Sequence, residues 1–304
     1  AYCDTESKGD KWICEGIAST RLNVGLHTKC SEATVTLTSQ FRPNLSPLPS
    51  PSPLPSPSPS PSPPLAMAPS PVPTTSVEQS TLESSVESGA YLGSGEYFMD
   101  VYMGTPPKHF SLIIDTGSDL IWTQCYPCLD CYNQSGPIFA PNASSTYRPL
   151  SCKHPQCEHV YSPEPSAPCK SPPHPCRYTY SYGDYSHTIG DLATETFTLG
   201  VSNTRDRYRI PDIVFGCGHS NQGSFRGSGG LLGLGKGPLS FPSQLDRRFG
   251  KKFSYCLVGR DTNVSANSVL TFGEDQGLVR HPQVQYTKFL THTYVSTFYY
   301  LDIA

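Results

Sequence analysis

Residues Phe110-Ser111-Leu112-Ile113-Ile114-Asp115-Thr116-Gly117-Ser118 run a short apolar segment straight into an acidic turn. Leu112 to Ile114 are β-formers in a run too short for a helix, so they predict a buried strand. Gly117 permits a tight turn, and the hydroxyls of Thr116 and Ser118 can hydrogen-bond nearby groups. A carboxylate at the end of such a strand is rigidly held. It can do one of two things. Either Asp115 caps a surface turn, or it is one of two carboxylates about 3 Å apart whose like charges leave one proton shared. In that chemistry the ionised member activates a water and the protonated member polarises a carbonyl. A second Asp-Thr-Gly or Asp-Ser-Gly would then be needed. Asp4-Thr5 is followed by Glu6 and Asp261-Thr262 by Asn263, so the sequence carries half of such a site.

Composition narrows the setting. Twelve cysteines, 31 prolines and sparse charge suit a secreted, loop-rich β protein rather than a cytosolic helical one. A net charge of −3 gives no reason to expect a nucleic-acid partner. No apolar run approaches the roughly 20 residues needed to span a membrane. The chain starts at Ala1 with no charged-then-apolar leader, which predicts that the natural N-terminus lies upstream. Asn-x-Ser/Thr sequons at Asn44, Asn133, Asn142 and Asn263 fit the secretory pathway.

The segments that follow recur in a recognisable order. They are Gly93-Ser-Gly-Glu-Tyr-Phe98, Gly104-Thr-Pro-Pro107, Asp115-Thr-Gly-Ser-Asp-Leu-Ile-Trp122, Tyr180-Ser-Tyr-Gly-Asp184, Phe215-Gly-Cys-Gly218, Gly230-Leu-Leu-Gly-Leu-Gly235, Gly237-Pro-Leu-Ser240 and Phe253-Ser-Tyr-Cys256. From about Gly95 the chain resembles the nepenthesin-like aspartic proteases of plants, a branch of the pepsin family. The resemblance implies an all-β, bilobal pepsin fold with one catalytic Asp on each lobe, of which this chain holds the N-terminal lobe. It implies that Asp115 is the first-lobe catalytic carboxylate, supported by Thr116, Gly117 and the Ser118 hydroxyl. It also implies a flap built on Tyr182, Gly183 and Asp184, a hairpin that closes over substrate and excludes water, with Trp122 hydrogen-bonded to the flap tyrosine. Read from residues alone, Tyr178, Tyr180, Tyr182 and Tyr185 could equally form an aromatic strand face. Protein or peptide substrates are implied, and no cofactor.

Cys125-x-x-Cys128-x-x-Cys131 with Cys152, Cys157, Cys169 and Cys176 has thiolate spacing that also permits a zinc or iron–sulfur cluster. The sequons and the Pro-rich segment argue for an oxidising compartment and hence disulfides. The resemblance implies the pairs Cys125–Cys128, Cys131–Cys217, Cys152–Cys176 and Cys157–Cys169, with the partner of Cys256 in an absent second lobe. No metal is expected, since the nine histidines are scattered without ligand spacing and are taken as surface residues. Gly230-Leu-Leu-Gly-Leu-Gly235-Lys236 nearly spells a phosphate loop, but Gly237 stands where Ser or Thr would bind magnesium and Pro238 obstructs the helix. It is read as a structural Gly-rich turn.

The expected organisation has five parts. Residues 1–42 form an unassigned Cys-containing segment. Residues 43–73 form a disordered Pro/Ser-rich linker, a polyproline II spacer that is either bare or decorated like plant wall arabinogalactan modules. Residues 74–94 resemble the end of a propeptide, with mature enzyme starting between Gly89 and Gly95. Residues 95–281 form the lobe and its Cys-rich insertion, and 282–304 begin a truncated second lobe. Strands are predicted at Val101–Met103, Ser111–Ile114, Tyr178–Tyr182, Glu195–Leu199 and Ile213–Phe215, and a helix over Pro242–Phe249. The expected function is an acid-acting endopeptidase, secreted to the wall or apoplast or held in the vacuole. A pepsin-fold protein without a working dyad, like the plant xylanase inhibitors, is the alternative. Two lobes pairing symmetrically, as in retroviral proteases, is a third arrangement.

Overall fold

The computed structural model describes residues 2–5, 12–15, 22–26, 33–38, 81–161, 169, 174–200, 207–225, 227–258, 268–282, 284–287, 289–290 and 297–301. The chain divides into two units, residues 1–39 with 80–304, and residues 40–79. The second unit, and with it the expected Pro/Ser-rich linker, lies outside the described residues.

Strands dominate. Four come first, β1 (Tyr2–Thr5), β2 (Trp12–Glu15), β3 (Leu22–Leu26) and β4 (Ala33–Thr38). Then follow β5 (Thr81–Ser88), β6 (Tyr97–Met103), β7 (Lys108–Asp115), β8 (Trp122–Gln124) and β9 (Arg148–Pro149). The long strands are β11 (His187–Gly200) and β12 (Arg207–Gln222), preceded by β10 (Arg177–Ser181). After them come β13 (Gly230–Gly233), β14 (Lys252–Cys256), β15 (Ser268–Gly273) and β16 (Gln285–Thr287). The all-β class and every predicted strand region agree with this.

The sheet owes its shape to β11. It pairs with β12 along its length, while on its other edge His187–Asp191 pair with β10 and Phe197–Leu199 pair antiparallel with β6. A register shift between Glu195 and Phe197 marks where it changes partner, the bend a β-bulge supplies. With β12–β8, β8–β13, β13–β7 and β7–β6 already paired, the β11–β6 contact closes a ring of strands and removes two open edges. Inside it the larger core gathers Val101, Met103, Phe110, Leu112, Phe139, Phe197, Phe215 and Leu232. Aromatic pairs such as Phe139–Phe215, with centroids 5.8 Å apart at 85°, give edge-to-face packing there.

Two expectations need correction, the Gly-rich turn and the single helix. The Gly-rich segment is not a turn but strand β13, slotted between β7 and β8, with Leu231, Leu232 and Leu234 buried. The predicted helix is two short pieces, α1 (Phe241–Gln244) and α2 (Asp246–Phe249), because Leu245 between them departs from helical backbone at ψ 1°. A third, α3 (Gln276–Val279), was not predicted. Within the span expected to be a propeptide-like tail, residues 81–88 form β5, paired with β15 on one side and β6 on the other. Residues 1–42 contribute β4 to the edge of β14 and β3 to β16, so the segment is part of this sheet, and β16 pairs with the N-terminal segment.

The cysteines form disulfides, but every expected pair is replaced. Cys125 bonds Cys217, Cys128 bonds Cys131, Cys152 bonds Cys169 and Cys157 bonds Cys176. Strand register accounts for the first. The parallel β8–β12 pairing sets Cys217 opposite Thr123, and Cys125 N–H then donates to Gly218 O at 2.8 Å, bringing the Cys125 and Cys217 Cα atoms to 5.3 Å. Cys128 and Cys131 are left to close a local loop at 6.1 Å. In the second group the bridges cross instead of nesting, with Cα separations of 5.8 and 5.7 Å, inside the usual range. Cys256 is disulfide-bonded as well, so its partner does not await an absent lobe. Among the described residues no helix is long and apolar enough to cross a membrane.

Candidate active site

β7 delivers Asp115 to the end of the barrel, and β13 runs parallel beside it with Gly233 opposite Asp115. The loop 116–121 must therefore cross the end of β13. The crossing is so close that a β-carbon on Gly233 would lie 2.4 Å from Asp119 backbone atoms. Leu234 N–H donates to Asp115 O at 2.7 Å and Gly235 N–H to Ser118 O at 2.8 Å, which fixes the loop backbone. The carboxylate is held by two donors. Gly117 N–H reaches Oδ1 at 2.8 Å, and the buried Ser118 hydroxyl reaches Oδ2 at 2.5 Å, the length of a charge-assisted bond. Asp115 and Thr116 are half-buried, and among the described hydrogen bonds none involves the Thr116 side chain.

Trp122 opens β8 on the far side of that loop and is fully buried. Its Nε1–H donates to the Tyr182 hydroxyl at 2.7 Å. Tyr182 follows β10 at the turn into β11, so the bond ties the hairpin turn to the Asp115 loop. Phe225 fills the angle between them, its centroid 4.9 Å from Trp122 and 5.9 Å from Tyr182, and Tyr180 packs 5.3 Å from Tyr182. Burial, and after it the Asp115 charge, raises the Tyr182 phenol well above its ordinary pKa. Burial pushes Tyr180 up to about 12. Both stay neutral across the acidic and neutral range. Gly183 and Asp184 are exposed at the turn, where Asp184 accepts from Ser186 N–H at 3.0 Å and from the Ser186 hydroxyl at 2.8 Å.

Two structural elements around the site escape a reading of the sequence. The first is Asp119, inside the motif itself. Its Oδ1 accepts from Gly237 N–H at 2.6 Å, and a β-carbon on Gly237 would lie 2.4 Å from its other carboxylate oxygen. Burial raises its pKa, against the bonds from Gly237 and the Thr297 side chain, and the Asp115 charge pushes the same way. An acid just ahead of the apolar Leu120-Ile121-Trp122 run was the available signal. The second is a chain of buried amides under the hairpin. The Gln124 side chain donates to Tyr132 O at 3.0 Å and accepts from Tyr132 N–H at 3.2 Å, as a neighbouring strand would. Asn221 links onward, accepting from Thr188 Oγ1 at 2.7 Å, and Thr188 meets the Tyr178 hydroxyl at 3.0 Å. The loop closed by Cys128–Cys131 is thereby joined to the hairpin stem.

One histidine departs from the surface reading. His219 is largely covered, with Nδ1 2.9 Å from Pro127 O and Nε2 3.6 Å from Asp191 Oδ2. The Asp191 carboxylate is the main cause that raises its pKa, and desolvation opposes it.

Residues 97–274 match the family described as "Xylanase inhibitor N-terminal". The chain is 45% identical over 220 residues to aspartyl protease family protein 2 of Arabidopsis thaliana, covering 72% of this chain and 42% of that protein. It is 44% identical over 221 residues to aspartic proteinase nepenthesin-1 of Nepenthes gracilis, covering 72% and 46%. The chain thus spans less than half the length of these relatives. Among solved structures it is 19% identical to an aspartic proteinase from Irpex lacteus, covering 72% of this chain and 55% of that one at a TM-score of 0.49.

Proposed function

Since the chain belongs to the xylanase-inhibitor N-terminal family and stands beside plant nepenthesin-like aspartic proteases as a first lobe, we propose that it supplies one half of an acid-acting aspartic endopeptidase. The observation that carries this is the Asp115 carboxylate, aimed and hydrogen-bonded by Gly117 N–H and Ser118 Oγ beneath the locked Trp122–Tyr182 pair. Those two bonds fix which way the oxygens face before substrate arrives, which is the preorganisation that water activation needs. Hydrolysis of a peptide bond by this route takes two carboxylates, one ionised toward the water and one protonated toward the carbonyl. The 304 residues contain no second Asp-Thr/Ser-Gly, so we assign the partner carboxylate to a second lobe outside them. The turn 182–186 acts as the flap over the cleft. Protein or peptide chains are the substrates, and a secreted or vacuolar, glycosylated protein is the setting.

A second reading has its own support. The matched family is described by inhibitor proteins, so this lobe could serve a pepsin-fold binder that cleaves nothing. The longer protein containing these residues separates the two. An endopeptidase cleaves denatured protein at acidic pH, is blocked by a peptide carrying a tetrahedral-intermediate mimic, and loses cleavage by at least about a thousandfold with Asp115→Asn. Full cleavage by Asp115→Asn, or none by the unaltered protein, overturns the proposal.

A further inference from the structure

The turn between β10 and β11 carries a strained residue that no contact among the described residues repays. Tyr182 N–H bonds Ser186 O at 2.8 Å and Tyr185 N–H bonds Tyr182 O at 3.1 Å, so the backbone closes tightly. This closure holds Tyr185 at φ 68°, in the left-handed region. A β-carbon crowds the following carbonyl there, and a non-glycine residue is disfavoured by roughly an order of magnitude. Only two other described non-glycine residues have positive φ. Asp212 is of a type that tolerates it, and Lys251 holds an ion pair with Asp246 at 3.5 Å. Tyr185 has neither excuse. It is 93% exposed, and among the described residues its side chain has no hydrogen-bond or ring partner. Tyr180 and Tyr182, on the same hairpin, are by contrast packed inward. Of the hairpin's aromatics, Tyr185 alone is left to meet something outside the lobe.

We infer that Tyr185 is a specificity residue. Its ring covers an apolar side chain of the bound peptide, beside the scissile bond, when the flap closes. The inference rests on the peptidase reading of the same site. A phenol suits the task, because its ring face buries against an aromatic or long aliphatic residue while its hydroxyl stays wet. The one charged side chain at the tip is the Asp184 carboxylate, an anion already engaged with Ser186, so residues 183–185 offer no cation to attract an acidic residue. The ring has almost its whole area still to bury, enough for about a tenfold preference.

The test uses the full-length protein and two peptides, one with Phe or Leu flanking the scissile bond and one with Ala or Gly at every such position. Tyr185→Gly is expected to lower kcat/KM about tenfold on the first peptide and less than about twofold on the second. Tyr185→Phe is expected to match the unaltered protein on both. Because glycine relieves the left-handed strain, the urea midpoint of Tyr185→Gly is expected to be no lower than that of the unaltered protein. Equal losses on the two peptides, no loss on either, or a lowered midpoint overturn the inference. Nitration by tetranitromethane keeps it separate from the peptidase reading. Protection of Tyr185 by the apolar tetrahedral-mimic peptide supports the contact even if nothing is cleaved, and undiminished nitration with that peptide bound overturns it.

Discussion

Replacing Tyr182 with Phe removes one oxygen from a place where it cannot be substituted. The Trp122 indole donates to that oxygen at 2.7 Å, and Trp122 is 0% exposed. A buried donor left without a partner costs about 1–3 kcal/mol, more than the roughly 1 kcal/mol net value of an ordinary hydrogen bond. Taking about 2 kcal/mol, and about 2 kcal/mol per molar urea for the slope, the midpoint should fall by about 1 M. The bond has to be separated from the packing of the Tyr180–Tyr182–Phe225 cluster, which Phe largely preserves. A double-mutant cycle with Trp122→Phe, followed by circular dichroism because the variant loses the indole signal, isolates it. The two changes should couple by at least about 1 kcal/mol. A Tyr182→Phe variant as stable as the parent, or two losses that simply add, would refute the view that this bond joins hairpin to loop.

Two further predictions concern pH. The Asp119 carboxyl has a folded-state pKa above its unfolded one, so ionising it destabilises the fold as pH rises from about 4. Asp119→Asn, which can still accept from Gly237 N–H, should match the parent near pH 3 and exceed it in urea midpoint at pH 7; equal midpoints at both pH values would count against a buried, costly charge. For His219 the folded pKa is also raised, and for a base the sign runs the other way. Its pairing with Asp191 stabilises fully below the unfolded value of about 6.5 and is lost as pH climbs through the folded value. His219→Gln should therefore lose stability at pH 5 but not at pH 9, and a loss of equal size at both would remove the ionic explanation.

What the sequence revealed depended on how local each signal was. Asp115, Ser118 and Trp122 lie within eight residues, and the strand-then-turn pattern places them without any knowledge of the remaining chain. The Trp122–Tyr182 contact spans 60 residues, and only the resemblance of the whole motif series could bring its two ends together. Disulfide pairing lay beyond reach for a different reason. Cys125 finds Cys217 because two strands align in parallel at one register, and nothing in the spacing of Cys125, Cys128 and Cys131 encodes it. Four cysteines in one loop likewise admit nested and crossed bridges equally. β13 reads as a turn from sequence because four residues rich in glycine look like one when their neighbours are unknown. In β5 the signal was present but quiet. Leu82, Ser84 and Val86 alternate inward between Glu83, Ser85 and Glu87, a strand period hidden by polar composition.

That last strand changes what a cut in the chain could achieve. β5 is held by six register pairs to β15 and three to β6, with Leu82 and Val86 buried and the Ser84 hydroxyl bonded to Gly200 O at 3.0 Å. Cleavage between Gly89 and Gly95 would sever a covalent link while leaving all of those contacts in place. The product would be a nicked, two-piece molecule in which the severed peptide persists as a tightly held subunit. Scission and departure would be separate events, and any process that needs the strand gone must also supply the means to peel it from the middle of a sheet.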